Sequence, residues 1–215
     1  MPLFTEPSSR SDPTPPPWLL LPQGRLLWWP SAFVDHADQW LAQLENDIPW
    51  QQHSLRMFGR ELNEPRLSCW MGEQPYRYSG KIRLAVPWQP LVQKIGRRVS
   101  QICGQPFNGV LLNLYRDGQD SMGWHADDEA ELGLNPTIAS VSLGATRRFK
   151  LRHNLRHNLR HELGQHSAQL TALPLSHGSL LVMAGEMQHH WQHALPKMAA
   201  CREPRINLTF RWLTV

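Results

Sequence analysis

Apolar positions along the chain change texture near residue 107. Before it, helical spacing dominates. Phe33, Val34, Trp40, Leu41, Leu44 and Ile48 fall on one face of a predicted helix, with Ser31 as its expected cap. Trp88, Leu91, Val92, Ile95, Val99 and Ile102 predict a second helix, opened by Pro87 in its first turn. After Phe107, short apolar or alternating runs lie between turn residues. They are Val110–Arg116, Thr137–Leu143, Arg147–Leu151, Gln169–Leu173, Ser179–Ala184 and Arg205–Leu213. That spacing predicts an antiparallel sandwich or double-stranded barrel. The expected fold class is α+β: a double-stranded β-helix (jelly-roll) core over residues 107–215, buttressed by two helices.

The segment between the helices, residues 51–83, mixes aromatics, arginines and Gly/Pro turns without a clear period, and is read as an irregular lid over the core. Residues 1–24, rich in Ser and Pro, are read as a flexible leader, and 25–215 as a single domain. A chain of 215 residues can bury one good core but not two. Its 41% hydrophobic and 19% charged residues fit a globular protein. No apolar run is long enough to span a membrane. Trp18–Leu21 follows a proline cluster and no basic segment, so it does not read as a signal peptide. Three scattered cysteines suggest a reducing compartment, hence a cytoplasmic protein, without a disulfide frame or a cysteine zinc site. The net charge of +4 is compatible with a polyanionic partner. Much of it sits in RRFKLRHNLRHNLRH, residues 147–161, whose repeat RHNLRHNLRH (152–161) is read as a basic hairpin tip that either contacts phosphates or is simply solvated.

Candidate chemistry begins with His125-Ala126-Asp127. If extended, this H-x-D points both side chains the same way. With one distant histidine it would make the two-histidine, one-carboxylate set of non-haem Fe(II) oxygenases, which leaves positions open for co-substrate and O2. The motif is common by chance, and a surface turn would look the same. HHWQHALP offers His189, His190 and His193; in a strand, His189 and His193 would share a face, so spacing leaves the third ligand open. In Arg205–Trp212 the even positions are apolar and the odd ones are Arg, Asn, Thr and Arg. Facing a barrel interior, those guanidinium groups need an anion, and a dicarboxylic acid suits them. Asn113-Leu114-Tyr115 would add an amide and a phenol from a facing strand.

NLYRDGQDSMGWHADDE, ASVSLGATRRF, LPLSHGSLLVM, HHWQHALP and PRINLTFRW, in this order, resemble the AlkB family of Fe(II)/2-oxoglutarate-dependent dioxygenases, most of all its DNA-repair branch. The likeness covers residues 56–215. It implies that His125, Asp127 and His193 bind Fe(II). It implies that Asn113, Tyr115, Arg205, Thr209 and Arg211 hold 2-oxoglutarate, with Arg211 on the distal carboxylate. Asp128 would contact the target base; Arg152 would meet a phosphate if the basic hairpin contacts nucleic acid. Met57, Phe58, Gly59 and Arg60 resemble a finger that fills the gap left by a flipped nucleotide, while Tyr76, Tyr78 and Ser79 belong to a segment that encloses the base. The implied activity is oxidative demethylation of N1-methyladenine and N3-methylcytosine in single-stranded or duplex DNA. Alternatives keep the chemistry on RNA or another substrate, or make the chain a non-catalytic nucleic-acid-binding module. No membrane partner is expected, and the protein is expected to be a monomer.

Overall fold

The structure, a computed structural model, describes residues 14–57, 60–78, 81–154 and 172–214. The chain opens with β1 (Leu19–Leu21) and β2 (Gly24–Trp29), then helix α1 (Val34–Asp47). Next come β3 (Ser54–Met57), β4 (Arg60–Asn63), β5 (Leu67–Gly72), β6 (Tyr76–Tyr78) and β7 (Lys81–Arg83). Helix α2 (Pro90–Cys103) precedes β8 (Gly109–Tyr115), β9 (Met122–His125), β10 (Ile138–Gly144), β11 (Arg147–His153), β12 (Ala172–Leu175) and β13 (Ser179–Ala184). A single helical turn, α3 (Met187–His190), leads into β14 (Trp191–Leu195), and β15 (Arg205–Arg211) ends the described strands.

The strands form the expected jelly roll. A major sheet runs β1-β2-β13-β10-β15-β8-β5 and a minor sheet β12-β11-β14-β9, with every pair of neighbours antiparallel. Two apolar layers follow from the strand period of two. On the outer face of the major sheet, Val110, Leu112, Ile206, Leu208 and Phe210 pack with Ala37, Trp40 and Leu44 of α1 and Val92, Ile95 and Val99 of α2. Between the sheets, Leu111 and Met183 belong to a second cluster with Phe149, Leu151, Leu175 and Trp191. Every residue of β15 is buried, so its polar row lies inside the protein. Gly96 lets α2 approach this strand closely: an added Cβ would lie 3.1 Å from the Phe210 ring.

Several expectations need correction. Residues 19–21 and 24–29 are strands of the major sheet, so the leader reading does not hold over 19–24; residues 14–18 form no helix or strand, and 1–13 lie outside the described residues. The even run LLL offers no alternation to read, and β1 is held by pairing with β2. Ser31 does not cap α1; Phe33 occupies that position without a side-chain hydrogen bond. In α2 it is Pro90, not Pro87, that opens the first turn, and Gly104 closes the helix with φ of 66°. Residues 51–83 are not irregular. The hairpins β3–β4 and β6–β7 flank β5, which is the edge strand of the major sheet beside β8. The basic hairpin tip after Asn154 lies outside the described residues, as does the start of the Gln169–Leu173 run.

The layer between β15 and the helices makes Phe210 the side chain whose loss should cost most. Its ring is fully buried, 6.1 Å from that of Phe107. Phe210→Ala should destabilise the protein by about 3–5 kcal/mol, read as a lower urea midpoint at unchanged m-value.

Candidate active site

The inner faces of the two sheets enclose a cavity lined by Asn113, Tyr115, Met122, His125, Asp127, Ser140, Phe149, His193, Arg205, Asn207, Thr209 and Arg211, among others. Its metal-ligating end is built by three chain segments. His125 closes β9 and pairs across the minor sheet with His193 of β14. Asp127 lies two residues beyond the end of β9. The ligand atoms of His125, Asp127 and His193 all lie within 4.8 Å of one another. His193 Nε2 and Asp127 Oδ2 are 3.7 Å apart, too long for a hydrogen bond and suited to two donors sharing one ion.

Local contacts hold each group ready. His125 Nδ1 is 2.9 Å from the Gly123 carbonyl, which can only accept, so Nδ1 is the donor and Nε2 is the ring nitrogen available to a metal. The Asp127 main-chain N–H donates to Gln188 Oε1 at 2.9 Å, and Gln188 in turn donates to Met183 Sδ at 3.7 Å. The His193 ring stacks on Phe149 with centroids 5.2 Å apart. Burial, with His125 and Arg211 nearby, pulls His193 down to about 3, so at neutral pH it is an uncharged imidazole with a free lone pair. Its short distance to Asp127 is therefore not an ion pair. Burial alone would raise the Asp127 carboxyl, but the Arg211 guanidinium and both histidines hold it well below the usual range. Arg211 Nη2 donates to Asp127 Oδ1 at 2.6 Å.

The other end of the cavity belongs to the far end of β15. Arg205, 2% exposed, donates through Nη2 to Ser142 Oγ and Asn207 Oδ1, each at 2.8 Å. Its guanidinium lies 5.3 Å from the Tyr115 ring. Burial lowers its pKa to about 10, with Tyr115 opposing that shift and Arg147 adding to it. The Nε groups of Arg205 and Arg211 are buried and lack a hydrogen-bond partner among the described residues. Such orphans are costly without an acceptor. A dicarboxylate in the cavity fits them.

The structure thus brings His125, Asp127, His193, Asn113, Tyr115, Arg205, Thr209 and Arg211 to one cavity. It also settles the choice among the histidines. His189 and His190 belong to the turn α3, so the strand alternation that grouped His189 with His193 does not exist. Arg211 is bound to Asp127 at the metal end, and Arg205 lies at the other end of the cavity. Alternation shows which face two arginines share but not which end lies near the metal. Tyr76 is fully buried, stacked on Trp70 at 4.5 Å, with the Arg211 guanidinium 5.5 Å from its ring. Asp128 is exposed. Arg152 is also exposed, outside the cavity; it lies 4.2 Å over the Trp124 ring and bonds Gln192 Oε1 at 2.9 and 2.6 Å. Met57 and Arg60 are backbone partners at the end of β3–β4, and the Tyr78 backbone pairs with Lys81. Phe58, Gly59 and Ser79 lie outside the described residues. Sequence reading missed Gln188, Ser140 and Asn207, of which Asn207 alone carried a signal, as an odd position of β15.

A model of the 2OG-Fe(II) oxygenase superfamily matches residues 29–211. Over 184 residues the chain is 42% identical to the alpha-ketoglutarate-dependent dioxygenase alkB homolog 3 of Homo sapiens, covering 84% of this chain and 63% of that protein. It is 38% identical over 180 residues to the DNA oxidative demethylase ALKBH2 of Mus musculus, covering 81% of this chain and 74% of that one. The chain belongs to the AlkB branch of the 2OG-Fe(II) oxygenase superfamily. Among solved structures, that of OsALKBH1 superposes with a TM-score of 0.56 at 18% identity, over 91% of this chain and 100% of that one, a likeness of fold. The AlkB-type chain spans about 63% of the length of the alkB homolog 3 relatives. Within it, the His125, Asp127 and His193 cluster and the orphaned arginine Nε groups fit the Fe(II) and 2-oxoglutarate for which the superfamily is named.

The buried, neutral His193 has a consequence for acid stability. Its folded pKa is about 3 against an ordinary value of 6.5, so between those limits the unfolded chain binds a proton that the folded one does not. Stability of the metal-free protein should therefore fall as pH drops below about 6.5, with a limiting slope of about 1.4 kcal/mol per pH unit. Below about pH 4 Asp127, whose carboxyl is also depressed, adds to the loss. Urea unfolding of chelator-treated protein from pH 7 to 5 measures the slope, which His193→Gln should flatten.

Proposed function

We propose that this chain is an Fe(II)- and 2-oxoglutarate-dependent dioxygenase that demethylates N1-methyladenine and N3-methylcytosine in DNA, releasing formaldehyde. One observation carries the reading: a two-histidine, one-carboxylate cluster shares a cavity with two buried arginines whose Nε groups lack acceptors among the described residues. Relatives at about 40% identity named as alkB homolog 3 and DNA oxidative demethylase support it. When bound, Fe(II) with 2-oxoglutarate and O2 supplies the oxidising power that hydroxylates the methyl carbon.

The residues divide that work by position. His125 Nε2, the Asp127 carboxylate and His193 would hold the metal on one side, leaving its cavity side open. Arg205, beside Tyr115 and Ser142, would take the distal carboxylate of the co-substrate. Arg211 keeps Asp127 anionic and places a second positive charge close to the metal end. Both proposed lesions are cationic and pair poorly, so they leave a duplex readily and suit a nearby carboxylate. Asp128, exposed directly after Asp127, would supply that charge. The exposed, stacked Trp124–Arg152 pair would meet the strand's phosphates.

The direct test offers methylated DNA and RNA oligonucleotides to the enzyme with Fe(II), ascorbate and 2-oxoglutarate, and scores mass loss and formaldehyde. Both DNA lesions should be lost in step with formaldehyde; succinate release with every methylated base intact would overturn the reading. His193→Ala should abolish turnover and Fe(II) binding, whereas His190→Ala should not. Arg205→Lys keeps the charge but loses the planar fork, so KM for 2-oxoglutarate should rise about tenfold or more at unchanged oligonucleotide affinity.

A further inference from the structure

Arg147, which opens β11, is among the largest fully buried side chains of the protein. Its Nη1 donates to the Asp117 carbonyl at 3.1 Å, and its Nη2 to the carbonyls of Asp120 and Pro196 at 2.8 Å each. The first two carbonyls belong to the segment that joins β8 to β9, and the third follows β14. The guanidinium therefore sits where the chain leaves Tyr115, the last residue of β8. Tyr115 lines the cavity, and its ring lies 5.8 Å from the Arg147 guanidinium and 5.3 Å from that of Arg205.

Carbonyl dipoles satisfy these donors but bring no counter-charge. Among the described residues no carboxylate pairs with Arg147, and its Nε is buried without an acceptor. Burial opposes ionisation of the neighbouring Asp120, but Arg116 and Arg147 hold its carboxyl below the usual range. Both oxygens of that carboxylate are taken by Arg116, at 2.8 and 2.9 Å. Arg205 is no better compensated, since its partners Ser142 and Asn207 are neutral. Burial and the Arg147 charge both oppose the charge of Arg205. Two buried guanidinium groups beside one cavity-lining ring thus share the lack of an anion. Buried charge without a partner is expensive, and like charges close together make it more so. Holding carbonyls requires donors; it does not require a net charge that nothing nearby balances.

We propose that Arg147 is a specificity-determining residue for the acidic co-substrate. It supplies the second positive charge that makes the Arg205 end of the cavity select a carboxylate. Arg205 meets that carboxylate directly, while Arg147, behind the lining residues, acts through the field of its charge. The inference rests on the placement of the distal carboxylate at Arg205, and not on which base is demethylated.

The test uses the full chain loaded with Mn(II), so that nothing turns over. Calorimetry gives the affinity for 2-oxoglutarate. Displacement gives that for 2-oxobutyrate, which keeps the oxo-acid end and lacks the distal carboxylate. The ratio of the two affinities isolates what the distal carboxylate contributes. Arg147→Met should lower that ratio about fivefold or more, by weakening 2-oxoglutarate alone. Arg147→Lys keeps a charge but not the fork that reaches three carbonyls, so its ratio should stay within about twofold of the wild type at a lowered Tm. A purely structural role would lower the Tm of Arg147→Met and leave its ratio at the wild-type value, and that outcome overturns the proposal. So does a ratio in Arg147→Lys as low as in Arg147→Met, because hydrogen-bond geometry and not charge would then be at work. If Arg147→Met fails to fold, Arg147→Gln, neutral but still able to donate to a carbonyl, must lower the ratio or the proposal fails. A wild type that does not prefer 2-oxoglutarate over 2-oxobutyrate overturns the placement of the distal carboxylate at Arg205 and this inference with it.

Discussion

The pair between Asp127 and Arg211 joins the two sheets at the point where chemistry is expected. It links the segment after β9, in the minor sheet, to the end of β15, in the major sheet, through a fully buried contact of 2.6 Å. Neither charge is tolerable there alone. An isolated buried carboxylate would take up a proton and lose its power to bind a cation, and an isolated guanidinium would be left without an acceptor. Paired, each holds the other ionised. The neutral His193 beside them depends on the same arrangement, because burial and the Arg211 charge both oppose its protonation.

β15 carries the architectural load of this arrangement. Its even residues lock the helices onto the major sheet, and its odd residues line the cavity from Arg205 to Arg211. The strand sits between β10 and β8, so its backbone is satisfied on both edges and its side chains have little freedom. That rigidity is what a site needs when it must hold a co-substrate at both ends. The distance between the two arginines is set by strand geometry and not by a flexible loop.

The edge of the major sheet beside β8 has a different character. β5 and its flanking hairpins bring charged residues into the interior around Glu64, next to Asn113. A region that looks irregular along the chain thus shares a wall with the cavity. The hairpin that carries Tyr76 is bound to the core by ion pairs and ring contacts at the same time.

The sequence by itself determined a core of short antiparallel strands, both buttressing helices, the apolar–polar alternation of Arg205–Arg211 and the residue types of the metal set. These follow from local periodicity and from side-chain chemistry, which a chain carries whatever its neighbours do. Periodicity was silent where an element is short or is held by its partners. The strands β1 and β5 were missed because pairing with β2 and β8, and not an alternating pattern, makes them strands. Spacing left the third histidine open, and the structure shows why His193 and not His189 enters the site: α3 breaks the strand before β14. It also decided that Arg211 serves the metal end and Arg205 the distal end, since a period of two defines a face but not its orientation toward a ligand on another sheet. The cluster of Glu64, Arg66 and Arg83 had no signature in the sequence at all. Its members are separated along the chain and meet only because β5 and β7 fold back beside Asn113, and long-range proximity of that kind is a property of the packed chain.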